Sequence, residues 1–281
     1  DLGTIFVLVL ARILRIKTLM TNESIYSKRL HSKSVRHILV NLYKYILLNL
    51  TNGFLSYGIK SNDYLFRFGI NKSQIYSYLN AFDRSKFRSL SVNVEKSTVP
   101  YILFVGRLSE EKNLICLIDL ARHFYVDQFN CRIKIVGDGD EFEKISLIIQ
   151  QENLPIDLMG ARPWDQLGSI YESAVSFILP SLNETWGMVA NEALEMGIPV
   201  ICSKVCGCAD DLIINEFNGL VLEDFDLASA ANSSSYVKIR EYISIQISEK
   251  EDHKKYKSVS AIYDEKKLIS EFISAFKRIL E

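Results

Sequence analysis

The sequence PSLNETWGMVANEALEMGIPV, residues 180–200, decides the fold class of this chain. It follows an apolar run, Val175–Leu179, that ends at a proline, as is typical of a buried strand. A loop carrying Glu184 comes next, and helical apolar spacing then runs over Trp186–Met196 and ends at a glycine. A second apolar run, Ile198–Cys202, completes a strand, helix and strand unit. Such a unit joins two parallel strands, so this stretch predicts a parallel sheet.

The same alternation of strands and helices extends from residue 101 to residue 222. The predicted strands are Tyr101–Val105, Arg132–Val136, Ile156–Met159, Val175–Leu179, Ile198–Cys202 and Gly219–Leu222. The predicted helices between them are Asn113–Phe124, Glu141–Gln150, Trp164–Ser173 and Trp186–Met196. This order predicts an α/β fold, a doubly wound parallel sheet with helices on both faces. Ligands of such sheets bind beyond the carboxyl ends of the strands, so a site is expected at that edge.

The remainder of the chain is less regular, and residues 87–100 are predicted to be a linker. The elements predicted before it are helices over Phe6–Arg15, Val35–Leu50 and Asp63–Phe68 and strands over Lys17–Thr21, Gly53–Tyr57 and Ile75–Tyr78. After the sheet, residues 233–235 and 249–257 are predicted to be solvated, and Glu265–Leu280 is predicted to be a helix. The chain starts inside a predicted helix and without a methionine, so we expect it to be incomplete.

Charge and composition exclude several classes of protein. Lys and Arg number 33 against 34 Asp and Glu, so no basic field points to nucleic acid. Hydrophobic residues make up 48% and charged residues 24%, which is typical of a globular protein. The five cysteines are odd in number and fit reduced, cytosolic thiols, and Cys206-x-Cys208 has poor spacing for zinc. The apolar run Ile5–Leu10 is too short to span a bilayer.

Two carboxylates in the stretch 180–200 indicate the chemistry of the predicted site. Glu184 lies in the loop and Glu192 lies in the helix. Eight helical steps rise ~12 Å and turn by two full turns plus about 80°, so both side chains project broadly to one side. The start of the helix, with free N–H groups and a positive dipole end, favours phosphate. A bent sugar-diphosphate-nucleoside would fit this layout. The alternative is a loop acid and a helix glutamate with no ligand.

A second segment, FVGRLSEEKN at residues 104–113, carries two cations. Gly106 lets the backbone leave the strand tightly, Arg107 follows it, and Lys112 comes at the start of the next helix. Two fixed cations would stabilise the charge that grows on a diphosphate leaving group without a metal. Arginine also gives planar, bidentate contact to phosphate. The alternative is solvated surface charge, although a lysine there opposes the helix dipole.

These segments resemble the Glu-x7-Glu signature and the Gly-Arg-Leu…Lys-Asn/Gly segment of family 4 glycosyltransferases, which are retaining enzymes with the two-domain GT-B fold. The resemblance implies that Glu184 contacts the donor hexose and Glu192 the ribose, with Arg107 and Lys112 on the diphosphate. It also implies backbone contacts to the sugar or the diphosphate around Trp186, Gly187 and Met188, and it places Gly106 and Thr185 among the donor-binding residues.

Two weaker segments also resemble the family. Gly137 and Gly139 form a turn after the second strand, and Arg162 follows the third strand, where relatives contact the base. A turn without a ligand explains both equally well. Asp138-x-Asp140 has the spacing of a metal-binding pair, but turn chemistry explains both aspartates, and no metal site is predicted. The pair of glycines lacks the third glycine of a dinucleotide site.

The resemblance implies three parts: a partial acceptor-side domain over residues 1–95, a donor-binding domain over 96–260, and a helix over 261–281 that crosses back to the first domain. It implies metal-independent, retaining transfer, with no cofactor, from a UDP-sugar or GDP-sugar to a saccharide or lipid-linked saccharide. The expected setting is polysaccharide or lipopolysaccharide biosynthesis in the cytoplasm. Peripheral attachment to the inner membrane face, through a missing region, is left open. The fragment alone is expected to be inactive. The alternatives are a GT-B epimerase acting on a nucleotide sugar and a non-catalytic nucleotide-sugar-binding fragment.

Overall fold

The computed structural model describes residues 2–25, 35–77, 98–225, 227, 233–249 and 265–280. The chain divides into two compact units, one formed by residues 1–82 and 263–281 and the other by residues 83–262. Within the described residues, no helix is long and apolar enough to cross a bilayer.

The described strands and helices alternate along most of the chain. The strands are β1 (Leu19–Asn22), β2 (Gly53–Ser56), β3 (Ile75–Ser77), β4 (Tyr101–Val105), β5 (Arg132–Val136), β6 (Ile156–Leu158), β7 (Ser176–Leu179), β8 (Val200–Ser203) and β9 (Gly219–Leu222). The helices are α1 (Leu2–Ile13), α2 (Val35–Leu50), α3 (Gly58–Arg67), α4 (Leu114–Val126), α5 (Phe142–Glu152), α6 (Trp164–Glu172), α7 (Met188–Glu195), α8 (Ala209–Leu212), α9 (Ser234–Ser248) and α10 (Glu265–Leu280). Short 3-10 turns lie at Lys72–Gln74 and Glu110–Lys112.

The first unit contains a small parallel sheet with the strand order β1-β2-β3. Its core is a cluster of buried side chains around Phe54 and Leu65. A mutual hydrogen-bond pair ties β1 to α3, because Asn22 Nδ2 donates to Ser61 Oγ at 2.6 Å and Ser61 Oγ donates to the Asn22 carbonyl at 2.8 Å. The C-terminal helix α10 contacts β2 and β3 of this same unit.

The second unit contains a six-stranded parallel sheet with the order β6-β5-β4-β7-β8-β9. All four residues of β7 and all four of β8 are buried, so both faces of these strands are covered. The strand β4 pairs with β5 on one side and with β7 on the other. The chain therefore adds β5 and β6 on one side of β4. It then crosses to the other side of β4 and adds β7, β8 and β9 there.

The predicted α/β class with a doubly wound parallel sheet is confirmed. The bounds of β4, β5, β9 and α2 agree with those predicted from apolar patterning. The helix predicted to start at Trp186 instead begins at Met188. Gly187, at φ 101°, is in a left-handed conformation that interrupts helical geometry, and this explains the later start.

The prediction that residues 233–235 are solvated is confirmed for Ser234, which is exposed, but not for all three residues. They begin α9, in which Ser233 Oγ accepts a hydrogen bond from the Tyr236 amide at 3.1 Å and Ser235 is buried. Sequence patterning did not predict this helix because its first residues are serines and its amphipathicity is weak. Apolar side chains lie on its exposed face as well as on its buried face. Most of the predicted linker 87–100 and of the stretch 249–257 lies outside the described residues.

Candidate functional site

The candidate site lies where the strand order of the second unit reverses. The loop after β4 begins at Gly106 and the loop after β7 begins at Pro180. Because neighbouring strands β4 and β7 send the chain in opposite directions along the sheet, their loops diverge beyond the carboxyl ends and leave a crevice. Both segments that the sequence analysis singled out meet at this point.

Lys112 and Glu184 form an ion pair across these two loops. The Lys112 Nζ atom donates to Glu184 Oε2, and the side chains are 21% and 13% exposed. The pair is therefore shielded from solvent more than a typical surface salt bridge, but a ligand can still reach it. Two further bonds hold the loops together: the Leu182 amide donates to the Glu111 carbonyl at 2.8 Å, and Asn113 Nδ2 donates to the Pro180 carbonyl at 3.2 Å.

The backbone at Asn113 explains a feature of the sequence pattern. Asn113 has φ 56° and ψ 49°, which is left-handed, and it separates the turn Glu110–Lys112 from α4. Asparagine and glycine adopt this conformation most readily. The residue after Lys112 thus sets the angle between the turn and the helix.

Arg107 differs from Lys112 in its surroundings. Its side chain is exposed, and within the described ranges its guanidinium has no ion pair and no hydrogen bond. It directly follows Gly106, whose amide donates to the Val136 carbonyl at 3.0 Å. One cation of the predicted pair is therefore held by Glu184, and the other is available to an anionic ligand.

Gly137 and Gly139 lie close to the loop after β4. A Cβ atom on Gly137 would stand 1.8 Å from the Gly106 carbonyl oxygen, and one on Gly139 would stand 2.4 Å from the Leu108 carbonyl oxygen. The Asp138 carboxylate accepts a hydrogen bond from the Gly139 amide at 2.7 Å, as expected of a turn residue. Close loop packing therefore requires glycine at both positions, whether or not a ligand binds there.

The start of α7 faces the same edge. Gly187 caps the helix, and a Cβ there would stand 2.9 Å from Leu179 Cδ2. Trp186 is buried, and its Nε1 donates to Asn191 Oδ1 at 2.8 Å. A ligand contact at Trp186 would thus come from its backbone. Thr185 is exposed, and Met188 is half-buried.

The turn at Cys206–Cys208, which the sequence pattern did not predict as part of the site, holds the backbone of the Glu184 loop through hydrogen bonds. The Gly207 amide donates to the Glu184 carbonyl at 2.9 Å, and the Cys208 amide donates to the Trp186 carbonyl at 2.9 Å. A Cβ on Gly207 would stand 1.9 Å from the Thr185 carbonyl oxygen. A glycine between two apolar residues directly after a buried strand was the available signal. All five cysteines lie in the described part of the chain, buried and without a disulfide.

Glu192 has a partner that the sequence analysis did not identify. The Tyr171 hydroxyl on α6 donates to Glu192 Oε2 on α7 at 2.9 Å. Burial raises the pKa of the Glu192 carboxyl above its ordinary value, and this hydrogen bond opposes the shift. Burial, together with the charge of Glu192, also raises the pKa of the Tyr171 hydroxyl, which therefore remains a donor at neutral pH. No local pattern relates the two residues, so only the fold could show their contact.

The loops after three adjacent strands are linked at this edge. The Gly137 amide donates to the Gly160 carbonyl at 3.0 Å, which joins the loop after β5 to the loop after β6. Arg162 lies two residues beyond Gly160 and is exposed. Among the residues with described positions, no group of three or more His, Cys, Asp or Glu side chains is placed to bind a metal ion.

Comparisons with known sequences place the second unit in a family. The family model of glycosyl transferases group 1 matches residues 85–241. An uncharacterized glycosyltransferase of Methanocaldococcus jannaschii is 34% identical over 122 residues, which cover 43% of this chain and 33% of that protein. A GDP-mannose-dependent alpha-mannosyltransferase of Corynebacterium glutamicum is 32% identical over 167 residues, covering 56% of this chain and 37% of that protein. The aligned segments span about a third of the length of these curated relatives.

Solved structures extend the likeness to nearly the whole chain. HepE of Anabaena in complex with UDP superimposes with a TM-score of 0.72 at 16% identity, covering 98% of this chain and 76% of that one. Sucrose-phosphate synthase of Thermosynechococcus elongatus gives a TM-score of 0.71 at 19% identity, covering 97% and 71%. At these identities the likeness shows the fold alone, and it confirms the predicted GT-B type. Since the family model matches more than half of the 281 residues, the chain belongs to the glycosyl transferases group 1 family.

Proposed function

We propose that this chain forms the nucleotide-sugar-binding part of a retaining, metal-independent glycosyltransferase of family 4. The observation that carries the proposal is the Lys112–Glu184 ion pair at the reversal of the sheet order, beside the exposed guanidinium of Arg107. A cation and a carboxylate in contact match the two ends of a sugar diphosphate, one anionic and the other rich in hydroxyl donors.

The diphosphate would be held by Arg107 and Lys112. Arg107 has no competing partner in the described residues, so it can meet phosphate without breaking a contact. Lys112 would share its ammonium between Glu184 and the phosphate, or would exchange one for the other. In either case two fixed cations stabilise the charge that develops as the diphosphate leaves. This supports a mechanism in which protein side chains take the place of a metal.

Glu184 would accept hydrogen bonds from hydroxyl groups of the donor sugar. The turn Cys206–Cys208 holds the backbone of its loop, and Gly187 turns the chain into α7 directly afterwards. The backbone N–H groups of Gly187 and Met188 and the exposed Thr185 would then meet the sugar or the diphosphate. Glu192 would bind the ribose, and Arg162 would lie towards the base.

In the proposed reaction, the bond between the anomeric carbon and the diphosphate oxygen breaks, and a bond to the acceptor oxygen forms on the same face of the sugar. The acceptor hydroxyl gives its proton to the departing phosphate oxygen. Glu184 acts by positioning and forms no covalent intermediate. Retention follows because departure and attack share one face.

Two relatives guide the choice of donor. A mannosyltransferase relative is GDP-mannose-dependent, and the HepE structure contains UDP. We therefore propose a UDP-sugar or a GDP-sugar as donor and a saccharide or lipid-linked saccharide as acceptor, in cytoplasmic polysaccharide assembly. We assign residues 96–260 to donor binding and residues 1–95 and 261–281 to the acceptor side. Because the matched segments are about a third of the curated relatives' length, transfer is proposed for the whole protein and donor binding for this chain.

Calorimetric titration of the chain with UDP, GDP, ADP and their sugars, with and without EDTA, tests the proposal. We expect selective binding that EDTA does not change and that Glu192→Ala abolishes. Arg107→Ala should weaken diphosphate binding by about 1.5–3 kcal/mol, the range for hydrogen bonds to charged groups. The matched control is Arg132→Ala, because Arg132 pairs with Asp157 and lies at the amino end of β5, at the opposite edge of the sheet. Equal affinity in the wild-type chain and Arg107→Ala would remove Arg107 from the site, and no binding by a folded chain would refute donor binding.

A further inference from the structure

The carboxylate of Glu192 is held from one side only. Within the described residues its side chain has one hydrogen bond, from the Tyr171 hydroxyl to Oε2 at 2.9 Å. Tyr171 is fully buried, whereas Glu192 is half-buried. The bond therefore forms on the buried side of the carboxylate, and Oε1 accepts no hydrogen bond from the described residues.

The Tyr171 ring is itself fixed by the sheet. It stacks on Phe177 of β7, with ring centroids 5.7 Å apart and an interplanar angle of 25°. The strand β7 leads directly into the loop that carries Glu184. A buried tyrosine has only two side-chain torsions, so packing against β7 fixes the position of its hydroxyl. A glutamate has three torsions, and a half-buried one needs a partner to keep a single orientation.

We propose that Tyr171 is a positioning residue for ribose recognition: its hydroxyl holds Oε2 of Glu192 so that Oε1 accepts the hydrogen bonds of the donor's ribose hydroxyls. This rests on the proposed function, in which Glu192 meets the ribose. The hydroxyl also stabilises the ionised carboxyl, which is the acceptor form, against the burial that favours its neutral form.

The variant Tyr171→Phe keeps the ring and its stacking and removes the hydroxyl. The readout is the ratio of Kd values for a ribonucleoside diphosphate, UDP or GDP, and its 2′,3′-dideoxy analogue. In the unchanged chain we expect the ribonucleotide to bind more tightly. Tyr171→Phe should weaken binding of the ribonucleotide by about threefold to tenfold, the effect of one hydrogen bond, and leave the dideoxy analogue within about twofold.

The matched control is Tyr101→Phe, because Tyr101 is also a buried tyrosine of this unit whose hydroxyl donates to a carbonyl, that of Ile170, at 2.6 Å. It should leave the ratio unchanged. In the double variant with Glu192→Gln, the loss should not exceed that of Glu192→Gln alone, since Tyr171 acts through Glu192.

Three results separate the possibilities. If the unchanged chain binds no nucleoside diphosphate, the proposed function fails. If it binds both analogues equally, or if Tyr171→Phe weakens both equally, the inference about Tyr171 is overturned while donor binding stands. If circular dichroism shows that Tyr171→Phe does not fold, 3-fluorotyrosine can be placed at position 171 only. Its hydroxyl is a stronger hydrogen-bond donor, and the side chain has a similar shape. A change in the ratio then supports the proposal, and an unchanged ratio overturns it.

Discussion

The ammonium of Lys112 contacts the carboxylate of Glu184 although the two residues are 72 positions apart in the sequence. The contact forms where β4 and β7 lie side by side and their loops diverge. Each group neutralises the other before a ligand arrives. A diphosphate bound as proposed would therefore compete with Glu184 for Lys112. The affinity gained from this lysine would be the difference between its interactions with the two partners.

Lys112→Met tests whether this lysine meets phosphate. If it does, the variant should lose nucleoside diphosphate affinity by about tenfold or more, as expected for bonds to a charged group, and should lose little affinity for the nucleoside monophosphate. The reason is that the monophosphate lacks the second phosphate, which is the group that the proposed function places against Lys112. Isothermal titration calorimetry with UDP and UMP, or with GDP and GMP, measures both.

A matched control for Lys112 is Lys204→Met. Lys204 is in the same unit and pairs with Asp210 at 2.9 Å, but it belongs to no predicted ligand contact. Its replacement should leave both affinities unchanged. A similar loss for monophosphate and diphosphate in Lys112→Met would mean that the lysine only shapes the loop through Glu184.

The sequence predicted the sheet well because a strand buried on both faces is a short apolar run that ends at glycine or proline. Glu184 and Lys112 were found in the same way, as charged residues just past such runs. Their mutual contact was not predicted, and neither were the bonds from Gly207 to Glu184 and from Tyr171 to Glu192. Those contacts depend on which loops and helices become neighbours, and local patterning carries no such information.

Gly207→Ala should disturb the loop that carries Glu184, because the added methyl group would clash with the backbone of this loop. The new Cβ would stand 1.9 Å from the Thr185 carbonyl oxygen and 3.0 Å from Trp186 Cα, so backbone atoms must move. We expect a loss of about 1–3 kcal/mol in the free energy of unfolding, typical of overpacking. We also expect the variant to lose more affinity for the nucleotide sugar than for the free nucleotide, because the proposed function places Glu184 on the sugar. Urea unfolding and calorimetry measure the two effects.

Gly160→Ala is the control for adding a methyl group without a clash. Gly160 has no neighbour within 4 Å of the added Cβ, although its φ of 68° imposes backbone strain. It should cost about 1 kcal/mol of stability from that strain and should not change the preference for sugar nucleotide over nucleotide. If the two variants behave alike, the close contact at Gly207 has no role in placing Glu184.

Ser233→Ala tests the helix that sequence patterning overlooked. Ser233 Oγ accepts from the Tyr236 amide at 3.1 Å and so caps α9. Its loss should lower the free energy of unfolding by about 0.5–2 kcal/mol. Ser244→Ala, within the same helix, removes only a bond to the Arg240 carbonyl at 2.8 Å and should change stability little. Urea unfolding followed by circular dichroism measures both, and equal effects would contradict a capping role for Ser233.

Glu192 should make stability depend on pH in the opposite direction to most carboxyl groups. Burial raises its pKa above 4.5 in the folded chain, so the folded state holds this proton more tightly than the unfolded state. Stability from this group is therefore present below pH 4.5 and is lost as pH rises through the raised folded pKa. Glu192→Gln stays neutral and can still accept from Tyr171, so it should be more stable than the wild-type chain at pH 7 while binding nucleotide less well.

The gap in stability between Glu192→Gln and the wild-type chain should close as the pH falls towards 4.5, the ordinary value. Glu152→Gln is the control of opposite sign, because a hydrogen bond from Arg122 lowers the pKa of the Glu152 carboxyl. Its stabilising effect is present above the ordinary value and is lost at lower pH, so Glu152→Gln should not gain stability at pH 7. Urea unfolding at pH 7, 6 and 5 measures each difference. A Glu192→Gln variant that is less stable than the wild-type chain at pH 7 would contradict this prediction. It would show that the ionised carboxylate of Glu192 stabilises the fold and that its burial does not lower the free energy of unfolding.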